Sequence, residues 1–248
     1  MKFSDVNSKI SNIPYISRNN AEFLYDLICA ERLESILELG VAHGTATCYM
    51  AAALNAQGRG LIKAVDLVNA SYNPSAEEQL TELGLDSLVE IVRMESSYTW
   101  FLHDEIVRNT VHGVCTPQYD LCLIDGPKNW TIDGAAFFLG DKLLKDGGYL
   151  IFDDYSWTYS QANKTRKSTD GITHRSLSKA ELETPHIRDI FNYLVMQHPS
   201  YSEFQIIDNE WAVARKWAGA TKNIRYITRH EATFRTLLSR ILHSSGLR

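Results

Sequence analysis

Five short apolar runs, each ending in a carboxylate or a glycine, constrain this chain more than any other feature. They are "SILELG", "GLIKAVDL", "LVEIVRME", "YDLCLIDG" and "YLIFDDY". Their ends fall at Glu38 with Gly40, at Asp66, at Glu95, at Asp125, and at Asp153 with Asp154. Helix-like stretches precede or separate most of them. "AEFLYDLICAERL" sets Phe23, Leu24, Leu27 and Ile28 on one face, "TATCYMAAALNAQG" closes at Gly58, and "SAEEQLTELGL" and "GAAFFLGDKLLKDGG" follow, the last ending at its glycine pair. Strands alternating with helices at this spacing predict an α/β fold, doubly wound. Its mostly parallel, Rossmann-like sheet carries helices on both faces. Such sheets take ligands beyond the carboxyl ends of their strands, near the point where strand order reverses. One acid at a strand end is an ordinary solvated terminus; five such ends in a row predict a polar site along one rim.

Length and composition bound the reading. A chain of 248 residues can bury one sizeable core. A formal charge of -5 gives no reason to expect nucleic acid as a partner. No apolar run reaches the roughly 20 residues that span a bilayer, and the polar N-terminus has no signal-peptide core. Four cysteines without a CxxC pair suggest neither zinc nor disulfides, so a reduced, cytoplasmic protein is expected. The expected organisation is a domain over 1–217, with a helical lead-in at 1–34 and a polar lid or substrate loop at 157–185. "TPHIRDIFNYLVMQH" resumes as a helix with Thr184 as N-cap, and "FQIIDNEWAVARKW" reads as an antiparallel hairpin on the sheet edge. A basic extension, 218–248, completes the chain. Within it "TRHEATFRTLLSRILHSSG" opens with a capping-box pattern, Thr228 to Glu231, and gathers Phe234, Leu237, Leu238, Ile241 and Leu242 on one face. A homodimer through this extension is expected, with a membrane surface as the alternative.

The stretch "ILELGVAHGTATCYM" places Glu38, Gly40, Ala42 and Gly44 between a strand and a helix. Its glycines allow a tight turn close to a ligand, and free N–H groups at the helix start favour a carboxylate or phosphate. The spacing G-x-x-x-G weakens a nicotinamide reading, which wants G-x-G-x-x-G. Asp66 could accept two hydrogen bonds from ribose hydroxyls. A ligand-free turn and a solvated strand end are the bland alternatives.

Asp125 is followed three positions later by Lys128, which is a surface ion pair or half of an active site. Asp153 and Asp154 lie 28 and 29 positions beyond Asp125. Adjacent parallel strands would bring all three carboxylates together, and converging anions repel unless a cation joins them. A hard divalent ion with oxygen ligands, Mg²⁺ above all, would do so. Otherwise one side chain points away and Lys128 or Arg93 neutralises the others.

"LELGVAHGTAT" followed by "AVDL" resembles the first two motifs of class I S-adenosylmethionine-dependent methyltransferases, over roughly Ile36 to Tyr155. The resemblance implies a glycine loop that holds the methionine part of S-adenosylmethionine and a ribose contact at Asp66. It also implies an adenine contact near "MESS", at Glu95 and Ser96. The commonest version has a middle glycine where this chain has Ala42. The Asp-x-x-Lys and Asp-Asp spacing is similar to that of metal-dependent O-methyltransferases, both catechol O-methyltransferase-like and bacterial sugar or natural-product enzymes. It implies a divalent ion at Asp125, Asp153 and Asp154, Lys128 as base, and a small-molecule hydroxyl as acceptor. A metal lowers the pKa of a bound hydroxyl, and Lys128, near a cation and partly desolvated, could have a depressed pKa. Asp154 stands where the catechol branch has asparagine, and Lys128 where the bacterial branch often has histidine. Asn129, Trp130, Tyr155, Trp157 and His174 are candidates for the acceptor pocket; His43 closes the loop and Asp133 caps its helix. The competing readings are a metal-independent methyltransferase and a non-catalytic S-adenosylmethionine-binding protein.

Overall fold

The computed structural model describes residues 1–161, 177–217 and 222–229. The N-terminal half contains α1 (Phe3–Ile10), α2 (Arg18–Glu31), β1 (Ser35–Leu39), α3 (Thr45–Gln57), β2 (Leu61–Leu67), α4 (Ala76–Leu83) and β3 (Val89–Met94). Next come α5 (Tyr98–Arg108), a two-stranded hairpin of β4 (Thr110–Val111) and β5 (Val114–Cys115), β6 (Tyr119–Ile124), α6 (Trp130–Leu143) and β7 (Leu144–Phe152). The remainder is α7 (Lys179–Glu183), α8 (His186–Ile190), β8 (Tyr201–Ile207), β9 (Trp211–Lys216) and β10 (Ile224–Ile227).

Alternation along the strands divides the interior into two apolar layers. Ile36, Leu121, Leu123, Tyr149 and Ile151 face one layer, with α1 to α4 packed on it. Leu37, Leu39, Cys122, Ile124, Leu150 and Phe152 face the other, beneath α5, α6 and α8. Both faces are covered, which is why β1 and β6 are apolar at nearly every position. The large sheet has the order β10-β8-β9-β7-β6-β1-β2-β3, and β9 alone runs against the rest. The doubly wound, mostly parallel sheet expected from the sequence is thus present. Strand order reverses between β1 and β6, so the crevice that can hold a ligand opens beyond their carboxyl ends.

Several elements depart from the sequence expectation. The sequence reading placed no helix between the third and fourth apolar runs, where α5 forms. Helix α6 begins at Trp130 and stops at Leu143 rather than at the glycine pair, because Leu144 pairs with Tyr119 of β6. Thr184 ends α7 instead of capping α8, its hydroxyl donating to the Ala180 carbonyl. The helix expected there is α8, continued by a π-helical turn over Phe191–Val195. The β8–β9 hairpin forms as expected, with Asp208 and Asn209 both left-handed at its turn (φ 51° and 59°). It is not the sheet edge, since residues 224–227 of the extension add β10 beside β8. The rest of the extension from 230 onward, the middle of the 157–185 segment and His174 lie outside the described residues. No described helix is long and apolar enough to cross a membrane.

Candidate active site

The ladder hydrogen bonds continue past the strand ends and align the functional backbone. Gly40 N–H donates to the Val65 carbonyl (2.9 Å), Asp125 N–H to that of Leu39 (2.8 Å) and Asp153 N–H to that of Ile124 (3.2 Å). The loops after β1, β2, β6 and β7 therefore meet around one cavity of about 360 Å³. Of the residues expected at the site, Gly40, Ala42, Asp66, Ser96, Asp125, Lys128, Asp153 and Asp154 line it. Glu38, Gly44 and Glu95 do not.

Gly40 is needed where it stands. Its φ is +96°, and a Cβ there would overlap the Asp125 carbonyl oxygen. The glycine loop and the Asp125 turn thus pack backbone against backbone. Ala42 has φ 50°, the left-handed region that the commoner glycine would enter freely. Asp66 fixes this loop: its Oδ2 accepts from the amides of Val41 (3.1 Å) and Ala42 (2.9 Å). Its Oδ1 accepts from Leu67 N–H (2.7 Å). Asp66 is therefore part of the loop's own scaffold as well as of the cavity wall. Gly44 caps α3 in the left-handed region and faces α4, where a Cβ would sit 2.5 Å from that of Ala76. Glu38 is fully buried beneath the loop and accepts from the Thr47 hydroxyl (2.6 Å). Burial pushes its carboxyl up to about 8. Glu95 is exposed beside Ser96.

Across the cavity, one oxygen each from Asp125, Asp153 and Asp154 lies within 4.8 Å of the others. The sequence expectation that these three converge holds. Lys128 enters the same cluster, paired with Asp125 and 3.4 Å from Asp154 Oδ2. Burial raises Asp125, and although Lys128 pulls the other way, the carboxyl is left at about 6. Asp153 is pushed well above the usual carboxylate range by burial and then by the charge of Asp125. Burial acts to lower Lys128, but Asp125, Asp154 and Asp153 outweigh it and raise the amine. With only these carboxylates facing it Lys128 is held as an ammonium; the depressed value expected from the sequence is for a lysine beside a bound cation. Arg93, the other suggested neutraliser, is turned to Glu77 (2.7 Å) and stands 3.9 Å from Asp66. Lys128 and Asp154 both have left-handed backbone, φ 61° and 60°. Non-glycine residues in that region cost on the order of 1 kcal/mol each and cluster at functional sites.

The donor set suits a hard divalent cation. Three carboxylates and one ammonium leave a formal charge near minus two, and all the candidate ligand atoms are oxygens.

Sequence reasoning missed much of the wall. Tyr15, Tyr72, Ser97, Tyr98, Ile132 and Tyr159 line the cavity. Tyr15 arrives from the α1–α2 connection and stacks on His43 (5.6 Å between rings), whose Nδ1 donates to the Pro74 carbonyl (2.7 Å). Trp157 lines the cavity as suggested, whereas Tyr155 is buried in the core and Trp130 faces solvent. Asn129, rather than Asp133, caps α6, accepting from the amides of Thr131 (2.8 Å) and Ile132 (3.2 Å). Asp133 is wholly buried one turn in.

Residues 37–155 match a family model described as a methyltransferase domain. No curated protein sequence matches the chain. Among solved structures, a putative caffeoyl-CoA O-methyltransferase from Staphylococcus aureus aligns with TM-score 0.60 at 18% identity, covering 87% of this chain and 92% of that one. The O-methyltransferase TomG from Streptomyces achromogenes, solved with SAM, aligns at 0.58 and 18% identity over 87% and 89%. An O-methyltransferase from Bacillus cereus, solved with SAH, aligns at 0.57 and 18% identity over 86% and 90%. At such identities the alignments establish the shared fold. Together with the family match over the stretch that carries the glycine loop and both acid motifs, they bear out the resemblance to class I methyltransferases read from the sequence.

Proposed function

We propose that the protein transfers a methyl group from S-adenosylmethionine to a hydroxyl of a small molecule, assisted by a divalent ion. The observation that carries this reading is the sharing of one cavity by a glycine loop and three convergent carboxylates. Solved neighbours described as bound to SAM or SAH support the donor. The left-handed backbone at Gly40 and Ala42 brings the loop's main chain to the cavity wall, which suits the amino-acid end of that donor. Asp66 retains one Oδ1 lone pair for a ribose hydroxyl, and the Ser96–Tyr98 edge suits the adenine.

In the reaction the acceptor oxygen forms a bond to the methyl carbon as the carbon–sulfur bond breaks, and the hydroxyl proton leaves to a base. Asp125, Asp153 and Asp154 would hold the divalent ion, which when bound supplies a Lewis acid for the acceptor hydroxyl. Lys128 stands beside these carboxylates and keeps its own proton while they face it. It can serve as that base only once those oxygens are engaged elsewhere and its ammonium has released a proton to solvent. The close packing of the two loops holds both partners of the transfer in register, and orientation alone can lower such a barrier by several kcal/mol.

A second reading is favoured by the ion pairs of Lys128 with Asp125 and Asp154, which already supply the cluster with a cation. On that reading the enzyme needs no metal. Turnover of a panel of hydroxylated metabolites, with EDTA or with added Mg²⁺, separates the two. Loss of methyl transfer in EDTA and its return with Mg²⁺ supports the first; unchanged transfer supports the second. Absence of S-adenosylmethionine binding by calorimetry would remove both.

A further inference from the structure

The turn from Gly126 to Trp130 carries Lys128 and follows Asp125, and it is gripped from beneath by a pair of buried side chains. Asp133 is fully buried and uses both carboxylate oxygens. Its Oδ1 accepts from the Tyr98 hydroxyl, and its Oδ2 accepts from the Asn129 amide (2.5 Å). Gly126 reports how tight this arrangement is. A Cβ there would overlap the Tyr98 hydroxyl oxygen and lie 2.7 Å from Asp133 Oδ1. Tyr98 is itself on the cavity wall. The same turn is held from its outer side by Tyr159, whose hydroxyl donates to the Pro127 carbonyl (2.9 Å), and by His186, whose Nδ1 accepts from the Trp130 amide (3.0 Å).

We infer that Asp133 is a positioning residue: with Tyr98 it braces the Gly126–Asn129 turn, and so fixes where Lys128 and Asp125 stand in the cavity. A charged acceptor taking two donors in a water-excluded site is among the stronger hydrogen-bonding arrangements available to a side chain. The brace explains why a left-handed, non-glycine residue is tolerated at Lys128. Its backbone is trapped between the Asp125 strand end and the Asn129 amide, both fixed. Helix capping alone would not require this, since Asn129 already fills that role. The catalytic part of the inference rests on the methyltransferase reading above; the structural part does not.

The test is competitive acetylation of the lysines by trace acetic anhydride in the intact protein, read by mass spectrometry, for wild type, Asp133→Asn and Tyr98→Phe. In wild type Lys128 should react far more slowly than the exposed Lys179. In Asp133→Asn, where an NH2 that cannot accept replaces one of the two oxygens that hold separate donors, Lys128 should become about tenfold more reactive. Lys216, held at the other end of α6 by the carbonyls of Asp141 and Leu144, should stay unchanged. Tyr98→Phe should move Lys128 in the same direction by less. An unchanged Lys128, or Lys128 and Lys216 rising together as in general loosening, overturns the inference. In parallel, Asp133→Asn should lower kcat about tenfold with KM for S-adenosylmethionine unaltered. If wild type neither binds that donor nor turns over any acceptor, the functional reading fails while the lysine labelling still decides the brace.

Discussion

Lys128 carries its ammonium into a wall made largely of carboxylates, and its surroundings set both its charge and its availability. Because Nζ occupies oxygens that a divalent ion would use, Lys128→Ala should bind Mg²⁺ more tightly than wild type. Without the ion it should be less stable by roughly 2 kcal/mol. That figure is below the one for breaking a wholly buried pair, because the Asp154 side chain is 41% exposed. Calorimetry and thermal unfolding with and without Mg²⁺ measure both, and turnover should be lost. Unchanged turnover would rule out the lysine as base. Glu38 makes a second prediction. Free in the unfolded chain it titrates near 4.5, and in the folded protein near 8. The folded state holds the proton more tightly, so this group's contribution to stability is complete below pH 4.5 and is lost as pH rises through 8. Relative to Glu38→Gln, wild type should lose about 1.4 kcal/mol per pH unit across that window. Denaturant titrations at pH 5, 6, 7 and 8 give the comparison, and parallel pH profiles would contradict it. The sequence marked Glu38 as a candidate ligand contact because it ends a strand. Which face of the strand it lies on, and that α3 covers it, depends on packing that no local pattern carries.

The elements that hold the site are the ones whose sequence signals were strongest. β1 and β6 are continuous apolar runs bounded by acids and glycines. Doubly wound sheets take ligands beyond the carboxyl ends of their strands, so Gly40 and Asp125 could be placed on one rim from the sequence alone. Helix α5 was missed because its pattern is mixed: Glu105 is buried among its apolar residues while Trp100 and Val107 face solvent. β10 is a short strand with Arg225 and Tyr226 exposed at its centre, and nothing local separates it from a loop. The aromatic residues of the wall were unreadable for a different reason. Tyr15, Tyr98 and Tyr159 come from three separated segments that only the tertiary fold assembles. At this scale Gly44 is the informative position, since its left-handed backbone presses α3 onto α4. Gly44→Ala should cost about 2 kcal/mol, combining the left-handed penalty with overlap against Ala76. It should also weaken S-adenosylmethionine binding several-fold by displacing the loop. Unaltered affinity in a destabilised variant would confine Gly44 to packing.

For the whole molecule, the sheet places two chemistries on the two sides of its switch point: a glycine loop after β1, and a cluster of acids after β6 and β7. Neither half is decisive alone. A glycine loop could serve many nucleotides, and an acidic cluster is common on protein surfaces. Their convergence on one cavity is what favours methyl transfer with a bound cation over the readings that lack one. The measurement closest to this claim is a calorimetric titration of Mg²⁺ into the protein saturated with S-adenosylmethionine, for wild type and for Asp153→Asn. Binding of one ion by wild type, and binding at least tenfold weaker in the variant, is the expected result. No ion bound by wild type, or equal affinity in the two proteins, would contradict it.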